Sequence, residues 1–143
     1  MSEQNKALIR RYIQAIDDNV MGDWSILDDF LAPDFVAHNA PIPGVPLTRE
    51  GMKEAAEIFR VASPGARHDI TMQIAEGDLV VSYIVGHGLH QGPLLGVPAT
   101  NRRIETAGIA IHRVKNGKIV EYWAVSDVAR VLQQIGVLPG PKE

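Results

Sequence analysis

The stretch Arg103–Asp127, RIETAGIAIHRVKNGKIVEYWAVSD, reads as a long β-hairpin. Its centre is Asn116-Gly117, the strongest short hairpin signal, because both central residues of a type I′ turn need positive φ. If these two residues make the turn, Lys115 faces Lys118. Counting outward, His112 faces Glu121, Ala110 faces Trp123, Gly108 faces Val125 and Thr106 faces Asp127. Side chains alternate along a strand, so Trp123, Val125 and Asp127 are expected on one face, together with Gly108 and Ala110 from across the pair. A large aromatic opposite small residues leaves volume that a helix or a ligand must fill. A bulge would shift this register.

Asp127 ends the hairpin, and VARVLQQIG after it reads as a helix that stops at Gly136. Aspartate is among the best N-cap residues, so capping is one role. The other is chemistry. A carboxyl facing a partly apolar interior holds its proton more tightly than one in water, which suits it to acid–base work.

Working outward, residues 3–21 carry Leu8, Ile9, Tyr12, Ile13 and Ile16 at helical spacing. WSILDDFLA suggests a short second helix ended by Pro33, and Asp34–His38 a brief strand. NAPIPGVPL is a Pro-rich loop, a candidate lid. Thr48 is placed to cap a third helix through about Val61, with Met52, Ala55, Ala56 and Phe59 on one face. From His68 the pattern changes to alternation: Ile70, Met72 and Ile74 against Asp69, Thr71 and Gln73, then a turn at EGD and a long Val-rich strand. QGPLLGVPATNR is a loop, and LPGPKE a Pro/Gly tail. Helices first, then an antiparallel meander, then one short helix predicts an α+β fold with helices on one face of a curved antiparallel sheet. The 143 residues fit one domain, 1–143.

Composition narrows the function. The net charge is −3 and no basic stripe occurs, which argues against nucleic acid as partner. There are no cysteines, so thiolate nucleophiles, disulfides and cysteine-based metal sites are excluded. The N-terminus lacks the apolar core of a signal peptide, and no apolar run approaches the roughly 20 residues of a membrane span. A cytoplasmic protein without membrane contact is the expectation.

The histidines sort by position. His112, near the turn, is expected to pair with Glu121, and His68, at a strand start, to be solvated. His87 and His90 are three apart on a strand and point to opposite faces, which spoils a shared metal site; no metal is expected. His90 shares its face with Gly86 and Gly88. His38-Asn39 closes a short strand, where it either makes a turn or offers hydrogen bonds at a pocket rim.

Five motifs recur in one order: Gly88-x-His90-x-Gly92, Gly96-x-Pro98-x-Thr100, Asn116-Gly117-Lys118, Glu121-x-Trp123-x-x-x-Asp127 and Gln133-Gln134-Ile135-Gly136. With DFVAHNAPIPG in the front half, the chain resembles the SnoaL-like polyketide cyclases over nearly its whole length. The resemblance implies a cone like nuclear transport factor 2, a curved sheet wrapped around N-terminal helices with a deep apolar pocket. It also implies ring closure by intramolecular aldol condensation, without metal or cofactor, with the last-strand aspartate, here Asp127, as acid/base. Pocket histidines and polar residues map onto His38, His90 and Asn39. Asn101 stands where the family loop commonly has glycine; asparagine tolerates the positive φ needed there.

Two functions follow. In the first, Asp127 takes a proton α to a carbonyl of an apolar small molecule. His38, His90 or Tyr12 holds the oxygen, and Trp123, Gly108, Ala110 and Asn39 line the substrate site. An epoxide-opening hydrolase on the same fold, its aspartate activating water, is the enzymatic rival. In the second, the fold is a non-catalytic binder or a module that pairs through the open sheet face. A homodimer or higher homo-oligomer is expected in either case.

Overall fold

Three helices, a short 3-10 helix and a mixed sheet build the molecule in the computed structural model, which describes residues 2–140. The last three residues of the Pro/Gly tail lie outside this range. Helix α1 spans Ser2–Asp18, and it buries Leu8, Ile9 and Tyr12 with Ile13 and Ile16 beside them, the face its periodicity predicts. The second helix is a short 3-10 helix of two turns, Trp24–Asp29, capped by Asp23. Strand β1 follows as Leu31–Ala37 and includes Pro33, so the proline does not stop a helix but sits in an edge strand. Proline is tolerated there because an edge strand has one row of amides without a ladder to donate into.

Helix α2 is Arg49–Ala62, with Thr48 as N-cap accepting from the Gly51 amide at 3.2 Å. It buries Met52 and Ala55 as expected, whereas Phe59 stays exposed. Then come β2 (Arg67–Glu76), β3 (Leu79–Leu89), β4 (Arg103–Lys115), β5 (Lys118–Ser126) and α3 (Val128–Gln134).

The sheet order is β1-β5-β4-β3-β2. β2 to β5 form the antiparallel meander, but β1 runs parallel to β5, so the sheet is mixed at one edge. α1 lies across β2 and β3, and α2 lies over β1 and the 3-10 helix. One core cluster joins α1 and the 3-10 helix to Val80, Val114 and Ile119 of the sheet. A second joins α2 and α3 to the two long loops, through Ala55, Val131, Ile135, Ile42, Val45 and Leu94. The face of the sheet turned to the helices is therefore closed at one end by the first cluster and overhung at the other by the second.

The seam between α2 and the Pro-rich loop is held by contact rather than by side-chain volume. A Cβ on Gly51 would stand 1.7 Å from the Pro46 carbonyl oxygen. Gly51→Ala must push the loop off the helix, and is expected to cost about 3 kcal/mol or more, as backbone clashes of this kind do. Urea unfolding measures it; a midpoint unchanged from wild type would show that the loop moves freely.

Candidate functional site on the concave face

The hairpin turn is as the sequence dictates: Asn116 and Gly117 have φ of 52° and 74°, and Lys115 pairs with Lys118. One residue further the register departs from expectation. Val114 pairs with Ile119, but Arg113 pairs with Glu121, leaving Val120 as an extra residue. This bulge reverses the alternation of everything after it in β5. His112 then faces Tyr122, Ile111 faces Trp123, Ala110 faces Ala124, Ile109 faces Val125 and Gly108 faces Ser126.

The consequence corrects the expected site. Tyr122 and Ala124, not Trp123 and Val125, share the inner face with His112, Ala110 and Gly108. Trp123 is on the outer face, where the His38 ring stacks on it with centroids 4.4 Å apart. His38 Nε2 meets Glu121 Oε2 at 2.8 Å, Arg113 Nε donates to Glu121 Oε1 at 2.7 Å, and Arg113 reaches Asp78 at 2.5 Å. Hydrogen bonds from His38 and Arg113 hold the Glu121 carboxyl below the usual carboxylate range. Here His38 closes an outer-face network beside a shallow groove of about 310 Å³ that it lines with Asp34, Lys115 and Glu121. It does not join the inner-face residues.

Asn39 is also committed elsewhere. Its amide nitrogen donates to the Ala124 carbonyl and its oxygen accepts from the Ala124 amide at 2.9 Å, so the side chain extends the β1–β5 ladder by one rung. His90 is fully buried, with Nδ1 2.9 Å from Thr100 Oγ1 and Nε2 unpartnered among the described residues. The glycines around it have a spatial reason. A Cβ on Gly88 would meet Ser63 Oγ at 2.2 Å and one on Gly92 the Val61 carbonyl at 2.2 Å, so the motif folds tightly under the end of α2. Asn101 takes φ of 57°, as its place in the loop requires.

What the inner face does collect is an aromatic and imidazole cluster. The expected His112–Glu121 pair does not form; His112 is buried and has Tyr12 at 6.0 Å, edge-on, and Tyr122 at 5.4 Å between centroids. Burial lowers the His112 pKa to about 4 and raises that of Tyr122 to about 12. Burial, and then the neighbouring Tyr122, also raises Tyr12. Neither tyrosine hydroxyl has a hydrogen-bond partner among the described residues. Beside the cluster, Ile84, Gly108 and Ala124 keep partial exposure although they face the helices, which marks an opening onto this face. Gly108 and Ala110 thus face Ser126 and Ala124 instead of Val125 and Trp123, with Tyr12 packed near them on α1; Tyr122 and His112 were missed because the bulge hid their facing.

Asp127 stands just past the last pair of β5. Its amide donates to the Ala107 carbonyl at 3.0 Å, and its Oδ1 accepts from the Arg130 amide at 3.1 Å, so it is the N-cap of α3. The side chain is exposed rather than enclosed with Trp123. Helix α3 is fixed by Gln134, whose side chain bonds both the amide and the carbonyl of Glu105.

The sequence model of the SnoaL-like polyketide cyclase family matches residues 6–135. The chain belongs to this family. It is 28% identical over 132 residues to the aklanonic acid methyl ester cyclase DauD of Streptomyces sp. (strain C5), covering 90% of this chain and 80% of that one. It is 26% identical over 111 residues to the nogalonic acid methyl ester cyclase of Streptomyces nogalater, covering 77% and 83%. Among solved structures, TsrD from Streptomyces laurentii superposes with a TM-score of 0.82 at 26% identity, over 95% of this chain and 97% of that one. The α+β cone of the SnoaL-like cyclases is therefore the fold of this protein. Among the described residues no helix is long and apolar enough to cross a membrane.

The buried His112 makes stability depend on pH. Its pKa falls from 6.5 unfolded to about 4 folded, so the unfolded chain binds more protons between these values. The stabilisation is complete above pH 6.5 and is lost as pH falls towards 4. Between pH 7 and pH 5 the loss amounts to about 2 kcal/mol. Thermal melting of wild type and His112→Gln across this range should show a steeper decline in wild type; parallel curves would mean that water reaches the ring.

Proposed function

We propose that this SnoaL-like protein closes a ring in a polyketide methyl ester by an intramolecular aldol reaction, with Asp127 as acid/base and no cofactor. The observation that supports it most directly is the inner face itself. Small residues, Gly108, Ala110 and Ala124, share the inner face with Tyr122 and His112, against which Tyr12 packs, and neither tyrosine hydroxyl has a partner among the described residues. Such a surface accepts a flat apolar molecule and offers donors to its oxygens. The substrate class follows the two cyclases of methyl esters that the chain is similar to.

The chemistry asks little of the protein beyond placement. Folding the chain of the substrate so that its reacting carbons meet removes much of the entropic barrier. Asp127 takes the proton α to a carbonyl, the carbanion attacks a second carbonyl carbon, and fixed donors hold the oxygen that becomes an alkoxide. Asp127 is at the junction of β5 and α3, where it can serve this role and cap the helix together.

Asparagine caps a helix as well as aspartate but cannot take a proton. Asp127→Asn is therefore expected to keep the melting temperature while lowering turnover of aklanonic acid methyl ester about 100-fold or more. Full activity in the variant would remove Asp127 from the chemistry, and an unfolded variant would reduce it to a cap.

A further inference from the structure

The inner face carries a polar pair, Asp17 with His68, that the reading above does not use. Asp17, near the end of α1, is almost wholly buried, its side chain 4% exposed. One carboxylate oxygen accepts from the His68 backbone amide at 2.7 Å, and the other is 2.7 Å from His68 Nδ1. His68 starts β2 opposite Gly86 of β3, and Gly86 is opposite Thr106 of β4, so the three form one row across the sheet. The imidazole leans over Gly86. A Cβ placed there would be 3.2 Å from His68 Nε2 and 2.8 Å from Thr106 Oγ1. The glycine thus leaves a slot on the inner face, bracketed by a ring nitrogen and a hydroxyl, and neither atom bonds any described residue.

We propose that His68 is a catalytic residue that protonates the carbonyl oxygen as it becomes the alkoxide, and that Asp17 is its positioning residue. This rests on the aldol reading with Asp127 as base. His38, one histidine expected to hold that oxygen, is on the outer face; His68 is the partly exposed histidine on the inner one. The arrangement suits the task. The neighbouring ion pair, Arg67 with Asp18 at 3.1 Å, also ties α1 to β2. Asp17 touches no other cationic side chain among the described residues. In the proposed step His68 acts as the imidazolium, its Nδ1–H donating to the buried Asp17 carboxylate. That leaves Nε2–H aimed into the slot.

The step balances without a co-reactant. Asp127 takes the α-proton, and the C–H electron pair forms the new C–C bond. The π pair of the attacked carbonyl moves to its oxygen, which takes the proton from Nε2. Asp127 then loses its proton to solvent and His68 regains one, so substrate and product are isomers. Thr106 Oγ1, on the other side of the slot, donates a second hydrogen bond to the same oxygen.

Two readouts on aklanonic acid methyl ester separate the roles: exchange of its α-proton in D₂O, followed by NMR, and ring closure. In His68→Gln, exchange should persist while ring closure falls about 100-fold. Asp17→Asn should lower kcat about 10-fold with KM unchanged, and Asp17→Glu should recover part of it. In protein labelled with ¹⁵N-histidine, the His68 Nδ1 proton should be seen as a hydrogen-bonded resonance that Asp17→Asn abolishes. Ring closure that survives in His68→Gln overturns the proposal. So does loss of both readouts together with a lowered melting temperature, which would make the pair a strut. Exchange that survives Asp127→Asn instead overturns the base assignment, and a wild-type protein that neither exchanges nor cyclises the ester overturns the reading and the proposal together.

Discussion

One extra residue in β5 sets the character of the inner face. Val120 has no partner of its own between Ile119 and Glu121, and from that point each side chain of β5 faces the opposite way from an unbroken hairpin. Tyr122 and Ala124 turn inward because of it, and Trp123 turns outward. Without the bulge, Trp123 would stand against Ala110 and its indole would fill the space beside the small residues. With it, the indole packs on His38 at the outer surface, and the inner wall keeps a smaller phenol and two alanines. An opening onto the concave face therefore depends on a single inserted backbone unit more than on any one side chain.

The bulge also decides where charges go. Glu121 is carried outward, between His38 and Arg113, and Arg113 in turn reaches Asp78. This network satisfies its groups at the surface, where desolvation is small. His112 is left inside with Tyr12 and Tyr122, as a neutral ring. The inner face consequently holds weakly polar, hydrogen-bond-capable groups in apolar surroundings, with the Asp17–His68 pair at the β2 side. Such a division suits a reaction in which an apolar molecule with several oxygens must be folded and two protons moved. The Asp17–His68 pair comes to this face through α1 and β2, whereas Asp127 caps α3 just beyond the end of β5.

Local rules were legible where the decisive contacts are local. The apolar stripe of α1, the Thr48 cap, the positive φ at Asn101 and the Asn116-Gly117 turn each follow from a few neighbouring residues. The family motifs were legible as well, and their spacing has physical reasons: Gly88 and Gly92 are small because α2 lies directly over them. Pro33 misled for the opposite reason. A proline reads as a helix end, yet whether its strand is at a sheet edge depends on β5, some ninety residues later.

By itself, then, the sequence determined the fold class, the hairpin, the cap at Asp127 and the candidates for chemistry, because periodicity, turn geometry and capping act over a few residues. Only the tertiary structure decided which candidates meet. A bulge changes the facing of a strand without changing its composition, so it separated His38 and Trp123 from the inner face and brought Tyr122 and His112 in. The partnership of Asp17 with His68 joins positions 51 apart in the chain. No local rule reaches across that distance; the packing of α1 over β2 does.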